Sequence, residues 1–461
     1  MRIYNTMTRA KEEFVPLTPG EVRMYVCGVT PYDYSHIGHA RSALVFDVVR
    51  RYLAFRGFRV TFVRNFTDVD DKIIRRAAVE GVPPREISER FIAAEQEDMR
   101  ALGLLPPDVA PRATEHVPGM IALIERLVAA GTAYVVDGDV YFRIAGFPAY
   151  GRLSGKPLDD LVAGARVEFD ERKRDPRDFA LWKSAKPGEP TWESPWGPGR
   201  PGWHIECSAM AMQYLGESFD VHGGGEDLIF PHHECEIAQA EAATGKLFAR
   251  YWLHNGLVNL GSEKMSKSLG NTLAIRDLVR RHDPQALRLH LLSTHYRNPL
   301  EWAEARVEES ARALDRFTRL RQDAASLRGA SGGLDPDLAA FRPRFEAAMD
   351  DDFNTPQALG VLFDMARALA ERRDAGPRDP GSFVAGVDEL MSLGKALGLL
   401  VQSGASSGPP GDIQRLVEER TEARKRRDWR RSDEIRDRLR DLGWTVEDTP
   451  AGPRIFQGTS R

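Results

Sequence analysis

Along the first 80 residues the apolar positions switch between two periods. Val22-Arg-Met-Tyr-Val-Cys27 is rich in β-formers and ends at Gly28, which predicts a strand. After the turn-like Thr30-Pro-Tyr-Asp33 the period lengthens. Leu44, Val48 and Tyr52 recur every four residues, as do Val45, Val49 and Leu53, so a helix is expected from about Gly38 to Arg56 with Gly57 as its cap. Phe58–Val63 reads as the next strand and Asp68 to Ala78 as the next helix. Strand, helix, strand, helix predicts a parallel sheet with crossover helices.

Between about 110 and 200 the pattern breaks into short strand-like pieces, Ala133–Val136 and Val140–Ile144, and the Gly-, Pro- and Trp-rich run Lys186–Gly202. An inserted subdomain is expected there. Strand-like Trp252–Leu260 returns to the first pattern, and about 300 to 400 is helical in flavour throughout. Ser403–Gly411 has linker composition, and a small terminal unit follows.

Composition narrows the class. The 461 residues carry a net charge of -4 and are 42% hydrophobic and 29% charged, which excludes a disordered chain and a basic nucleic-acid coat. Any polyanion must therefore meet a local patch. Three cysteines, Cys27, Cys207 and Cys235, do not make a disulfide framework. The start, MRIYNTMTRAKEEF, has no apolar run of a secretory signal, and no stretch has the roughly 18 apolar residues of a membrane span. A cytoplasmic protein without membrane contact is expected.

Two local motifs suggest phosphate chemistry. Ser35-His-Ile-Gly-His39 falls where the first strand gives way to a helix, whose N-terminal N–H groups suit anions. His36 and His39 can both donate to phosphate oxygens, and Gly38 leaves room for a nucleotide; alone, they are equally two surface histidines. Lys264-Met-Ser-Lys-Ser268, followed by Gly270-Asn271, offers two lysines three residues apart to follow charge onto a leaving pyrophosphate. In this order the pair resembles the signatures of class I aminoacyl-tRNA synthetases.

Cys27, Cys207, His232 and Glu236 would make a four-ligand zinc site, although two buried cysteines behaving as small hydrophobes is the commoner arrangement. Pro231 suits a helix's first turn, which would set His232 and Glu236 on one face. Met24-Tyr-Val-Cys-Gly28, Gly202-Trp-His-Ile-Glu-Cys-Ser208, His222-Gly-Gly-Gly225 and Asp227-Leu-Ile-Phe-Pro-His-His-Glu234 resemble the cysteinyl-tRNA synthetase family over nearly the whole chain.

The resemblance implies one Zn2+ per subunit on Cys27, Cys207, His232 and Glu236, with the substrate thiolate as a further ligand. Cys235 competes with Glu236 on ligand softness, and the family pattern His-His-Glu-x-Glu favours Glu236. Serine differs from cysteine by one atom, which a plain pocket rejects poorly, whereas zinc prefers thiolate. It also implies ATP contacts at His36, Gly38, His39, Gly224 and Lys267, with Lys264 and Lys267 on the pyrophosphate and Mg2+ accompanying ATP. Gly28, Thr67, Trp203 and Asp227 become candidates for binding the cysteine substrate.

The implied architecture is α/β: a Rossmann-like class I catalytic domain in two halves, 1–110 and 201–300, with a connective subdomain inserted at 111–200. A helical tRNA-binding bundle (301–402), a linker (403–411) and an anticodon-binding domain (412–461) follow. From Arg420 to Arg440 ten basic residues face five acids, enough for phosphate contacts, and Trp429 could stack an unpaired base, although on composition alone one solvated amphipathic helix with Trp429 in its core is the commoner arrangement. Arg424, Trp429, Asp433 and Asp448 match the family pattern there. The expected partners are ATP, L-cysteine and tRNA(Cys), and a monomer is expected. A rival ligase passing cysteine to a small amine would lack the complete terminal unit that ends here in Asp448-Thr-Pro450.

Overall fold

The computed structural model describes residues 1–155, 171–260, 263–264, 273–327, 329–330, 332–375, 379–400, 411–449 and 452–457. These form two compact units. One comprises Met1–Arg281, Leu291–Ala303 and Arg344–Leu359; the other comprises His282–His290, Glu304–Pro343 and Gly360–Arg461.

The first unit opens with an antiparallel hairpin, β1 (Arg2–Asn5) and β2 (Ala10–Glu13). Its centre is a four-stranded sheet in the order β10-β9-β3-β4, built from β3 (Glu21–Val29), β4 (Arg59–Phe66), β9 (Phe219–Gly225) and β10 (Ala249–Asn255). All three pairings are parallel. The chain moves from β3 to β4 on one side and later from β9 to β10 on the other. A crevice therefore opens at the carboxyl ends of β3 and β9, where open α/β sheets bind their ligands.

Between the halves lies an antiparallel sheet of β5 (Ala133–Val136), β6 (Asp139–Phe142), β7 (Phe179–Ser184) and β8 (Gly199–Pro201). A smaller sheet pairs β11 (Val258–Leu260) with β12 (Glu263–Lys264) and β13 (Leu300–Trp302). The expected strand from Trp252 to Leu260 is thus two strands, β10 and β11, separated at Gly256, where a Cβ would come within 2.5 Å of the Asn298 backbone.

The helix after β3 spans Ile37–Phe55 and buries Leu44, Val45, Val48, Val49, Tyr52 and Leu53, the positions of the four-residue pattern. The next helix starts later than its pattern suggested, at Asp71, because Asp70 caps it by accepting from the Lys72 N–H.

In the second unit, helices include Glu304–Ser326, Phe341–Asp350 in part, Pro380–Ala396, Gly411–Lys425 and Trp429–Asp441. A terminal hairpin joins β14 (Trp444–Thr449) to β15 (Gly452–Gln457). Ile413, Val417, Ile435, Leu439 and Val446 form a small core under this hairpin and the last two helices. No helix of the described residues is long and apolar enough to cross a membrane.

Candidate active site and metal centre

Cys27 stands two residues before the end of β3, Cys207 in the helix Trp203–Leu215, and Glu236 in the helix Glu234–Thr244. All three are buried in the core that also holds Tyr25, Ile205 and Ile237 or, for Glu236, fully enclosed beside it. Pro231 takes helical dihedrals straight after the extended Phe230, in the turn that runs into that last helix, as its position suggested. Residues Ile229–His233 form an irregular turn with extended backbone at Phe230, and the α-helix begins at Glu234. His232 meets Glu236, because the residues after Phe230 regain helical dihedrals.

The donor atoms converge. Cys27 Sγ lies 3.6 Å from Cys207 Sγ and 3.2 Å from Glu236 Oε1, and His232 Nε2 lies 3.1 Å from the same oxygen. Tetrahedral zinc with ordinary bond lengths spaces such donors by about 3.3–3.8 Å, within a few tenths of an ångström of these separations. Two sulfurs, an imidazole nitrogen and a carboxylate oxygen, all buried within 4.8 Å of one another, therefore fit zinc in both chemistry and spacing. Cys235 does not join them; its Sγ lies 3.2 Å from the Tyr150 hydroxyl, and burial pushes its thiol pKa up.

Electrostatics divide the quartet: Cys207 and Glu236 are poised as anions, whereas Cys27 and His232 hold protons that a metal would have to displace. The hydrogen bond from Cys27 draws the Cys207 thiol down to about 6, against the opposing effect of burial. Burial holds the Cys27 thiol well above its usual value. Burial also disfavours a charged Glu236, but His222 and His232 outweigh it and hold the carboxyl well below the usual range. For His232 burial pulls the other way, yet Glu236 and Cys207 raise it to about 10.

The sequence reading missed the histidines around this quartet. His222 was part of a glycine-rich motif, but its Nε2 lies 2.8 Å from Glu236 Oε2 and its ring stacks on Trp252 at 4.4 Å. His233, with Cys27, His222 and Glu236, makes a second, overlapping donor set, and its Nδ1 lies 2.8 Å from His254 Nε2. The only sequence signal was the density of histidine in these strand-end segments.

Trp203 is 41% exposed and stacks on His232 at 4.2 Å, forming one wall of the site. Thr67 is buried just past β4, whereas Asp227 is exposed in the turn after β9. Gly224 tolerates no side chain, since a Cβ would sit 2.9 Å from the His233 ring.

The phosphate motif differs in detail from the expected first-turn pair. His36 is the N-cap of Ile37–Phe55: its Nδ1 accepts from the Gly38 N–H at 3.1 Å, and His39 Nδ1 accepts from the His36 N–H at 3.1 Å. The rings stack at 3.8 Å. With both Nδ1 atoms accepting, each neutral ring carries its proton on Nε2, the atom that can donate to an anion. Lys264 belongs to β12, where only the backbone is described; Lys267, with Gly270 and Asn271, lies outside the described residues.

In the terminal unit Trp429 is 55% exposed, with the Arg424 guanidinium 5.5 Å over its ring. Asp433 pairs with Arg436 at 3.1 Å, and Asp448 is placed by its backbone in β14. The arginine-rich stretch is two helices rather than one, because Asp428 caps the second by accepting from the Arg431 N–H. Arg420, counted among the surface charges, is buried. Residues 403–410 of the expected linker are outside those described.

A parallel sheet whose strand β3 leads through a histidine-bearing turn into a helix agrees with the resemblance to the class I aminoacyl-tRNA synthetases. Residues 13–312 match the class I (C) tRNA synthetase catalytic domain, 344–402 the DALR domain and 406–453 the cysteinyl-tRNA ligase anticodon binding domain. The chain is 54% identical to the cysteine–tRNA ligase of Alkalilimnicola ehrlichii and 52% identical to that of Geobacter sulfurreducens, each over 98% of both chains. It belongs to the cysteine–tRNA ligase family and is an enzyme of the aminoacyl-tRNA synthetase class. Among solved structures it shares its fold with a methionyl-tRNA synthetase of Mycobacterium tuberculosis in complex with methionyl-adenylate (TM-score 0.61, 18% identity, 83% of this chain and 91% of that one). A leucyl-tRNA synthetase (LeuRS) ternary complex of Agrobacterium radiobacter is similar in fold (TM-score 0.62, 14% identity, 86% of each chain).

Proposed function

We propose that the chain charges tRNA(Cys) with L-cysteine in two steps and selects cysteine at a zinc ion held by Cys27, Cys207, His232 and Glu236. One observation carries the reading: a buried quartet of soft and hard donors stands at the end of β3, whose following turn presents His36 and His39. Bound there, one zinc per chain supplies a Lewis acid that prefers a thiolate to a neutral hydroxyl.

The chain's own residues do the rest. Trp203 walls the metal side, and Gly28, Thr67 and Asp227 take the amino-acid end of cysteine. His36 and His39 donate from Nε2 to the ATP phosphates, while Gly38 and Gly224 let the nucleotide lie close to the backbone. Lys264 and Lys267, with magnesium accompanying ATP, stabilise charge on the departing pyrophosphate.

In the first step the cysteine carboxylate attacks the α-phosphate and pyrophosphate leaves. In the second the 2′-hydroxyl of the terminal adenosine attacks the activated carbonyl and AMP leaves. Positioning and charge stabilisation suffice, without a protein nucleophile. The 1–110 and 201–300 segments would carry this chemistry around the 111–200 insertion. The 301–402 helices would brace the tRNA corner, and beyond the 403–411 linker Arg424, Trp429, Asp433 and Asp448 in 412–461 would read the anticodon. A cytoplasmic monomer accords with this reading.

The test is aminoacylation of total tRNA with cysteine against serine, with metal analysis of the purified chain. Cysteine charging with one zinc per chain is expected. Comparable charging with serine, or full selectivity in metal-free protein, would overturn the zinc reading.

A further inference from the structure

The β3–β4 ladder breaks where the metal donors begin. Val26 pairs with Arg64 and Val29 with Phe66, so two residues of β3, Cys27 and Gly28, stand opposite the single residue Asn65. This is a β-bulge, a device that re-aims side chains beside active sites. Inside it the Asn65 side chain replaces the missing ladder bond: its Oδ1 accepts from the Gly28 N–H at 2.9 Å. The backbones are so close that a Cβ on Gly28 would fall 1.6 Å from the Asn65 carbonyl oxygen.

That bond fixes which way round the amide lies. With Oδ1 committed to Gly28, Nδ2 faces the other way and donates to Thr67 Oγ1 at 3.3 Å. Cys207 Sγ is 3.8 Å from the same Oδ1. Thr67 in turn is tied to β3 by its N–H, which donates to Val29 O at 3.1 Å. Asn65 is 1% exposed, so its amide has no water to turn to.

We propose that Asn65 is a positioning residue for amino-acid selection, holding the thiolate side of the pocket and the Thr67 side at one fixed separation. A cysteine substrate spans that gap, with its sulfur at the donor quartet and its amino-acid end toward Thr67. The inference rests on that placement of the substrate.

Asn65→Ala tests it in the full chain by steady-state ATP–pyrophosphate exchange. The KM for cysteine should rise about tenfold, the worth of one or two buried hydrogen bonds. The KM for ATP should stay within about twofold and zinc content at one per chain, a split that general loosening of the sheet would not give. A double-mutant cycle with Thr67→Val supplies the second readout: if Asn65 acts through Thr67, the two effects on the cysteine KM should not multiply. Asn65→Gln, which keeps both amide groups but displaces them by one methylene, carries the same measurements should the alanine variant not fold. A parallel rise in both KM values, or fully multiplicative effects, would overturn the proposal. Wild-type protein lacking cysteine-dependent exchange would instead overturn the proposed function.

Discussion

The Arg276 guanidinium lies 3.9 Å over the ring of Tyr34. Its other partner is Asp98, at 3.2 Å, in the helix Pro84–Ala101. Alongside, the Ile37 N–H donates to Leu273 O at 2.9 Å and the Ile275 N–H to Ser35 O at 3.0 Å. The chain beyond the lysine motif is thus bound, by backbone and side chain, to the turn that carries His36.

Arg276 should therefore matter to ATP rather than to cysteine. Arg276→Ala is expected to raise the KM for ATP about tenfold, the cost of a partly buried cation–π contact and its ion pair, with the cysteine KM little changed. Arg276→Lys should restore little, because an ammonium cannot lie flat on Tyr34 while also meeting Asp98. Exchange kinetics at varied ATP measure this, and an unchanged ATP KM in both variants would refute it.

Glu236 is held from behind. While its Oε1 faces Cys27 and His232, its Oε2 is taken by His222 Nε2 at 2.8 Å, and His222 is clamped on Trp252. Such partners orient a metal-binding carboxylate, and losing one typically costs 10–100-fold in metal affinity. His222→Phe should lower zinc affinity by about that factor in a chelator competition, with one zinc per chain still reached at saturation. Wild-type affinity in the variant would mean that His222 only fills space.

What was legible from sequence was what is local. The four-residue apolar pattern located the helix Ile37–Phe55 to within about a residue at each end, because its buried face is written in its own sequence. The two phosphate motifs were likewise contiguous. Asn65 and His222 were missed because their roles exist only across the sheet: the bulge at Cys27–Gly28 depends on pairing with a strand 37 residues further on, and no period within β3 reveals it. Pro231 was legible as the contiguous motifs were, since extended backbone at Phe230 and helical dihedrals after it bring His232 within 3.1 Å of Glu236. Arg420 misled, since a charge count cannot tell which arginines a small core covers.

Cys235 separates two ligand sets that sequence alone leaves in competition. It neighbours Glu236, yet its sulfur is turned to the Tyr150 hydroxyl, outside the donor quartet. Cys235→Ser should leave zinc at one per chain and the cysteine KM unchanged, while a modest fall in thermal stability reflects the altered contact with Tyr150. Loss of the metal in this variant would replace Glu236 by Cys235 in the site.

Trp429 presents its ring to solvent, 55% exposed, with Arg424 poised 5.5 Å above it. An exposed indole on a helix start whose core is already filled by Ile413, Val417, Ile435 and Leu439 contributes little to folding. It does suit stacking of an unpaired base, worth about 1–3 kcal/mol. Trp429→Ala is accordingly expected to raise the KM for tRNA at least about fivefold while ATP–pyrophosphate exchange, which needs no tRNA, stays at the wild-type rate. Arg430→Gln, a nearby change at an exposed charge, should instead weaken tRNA binding modestly and reduce its salt dependence, because a phosphate contact carries no base stacking. Equal tRNA affinity in wild type and Trp429→Ala at fixed salt would exclude this face from the tRNA interface.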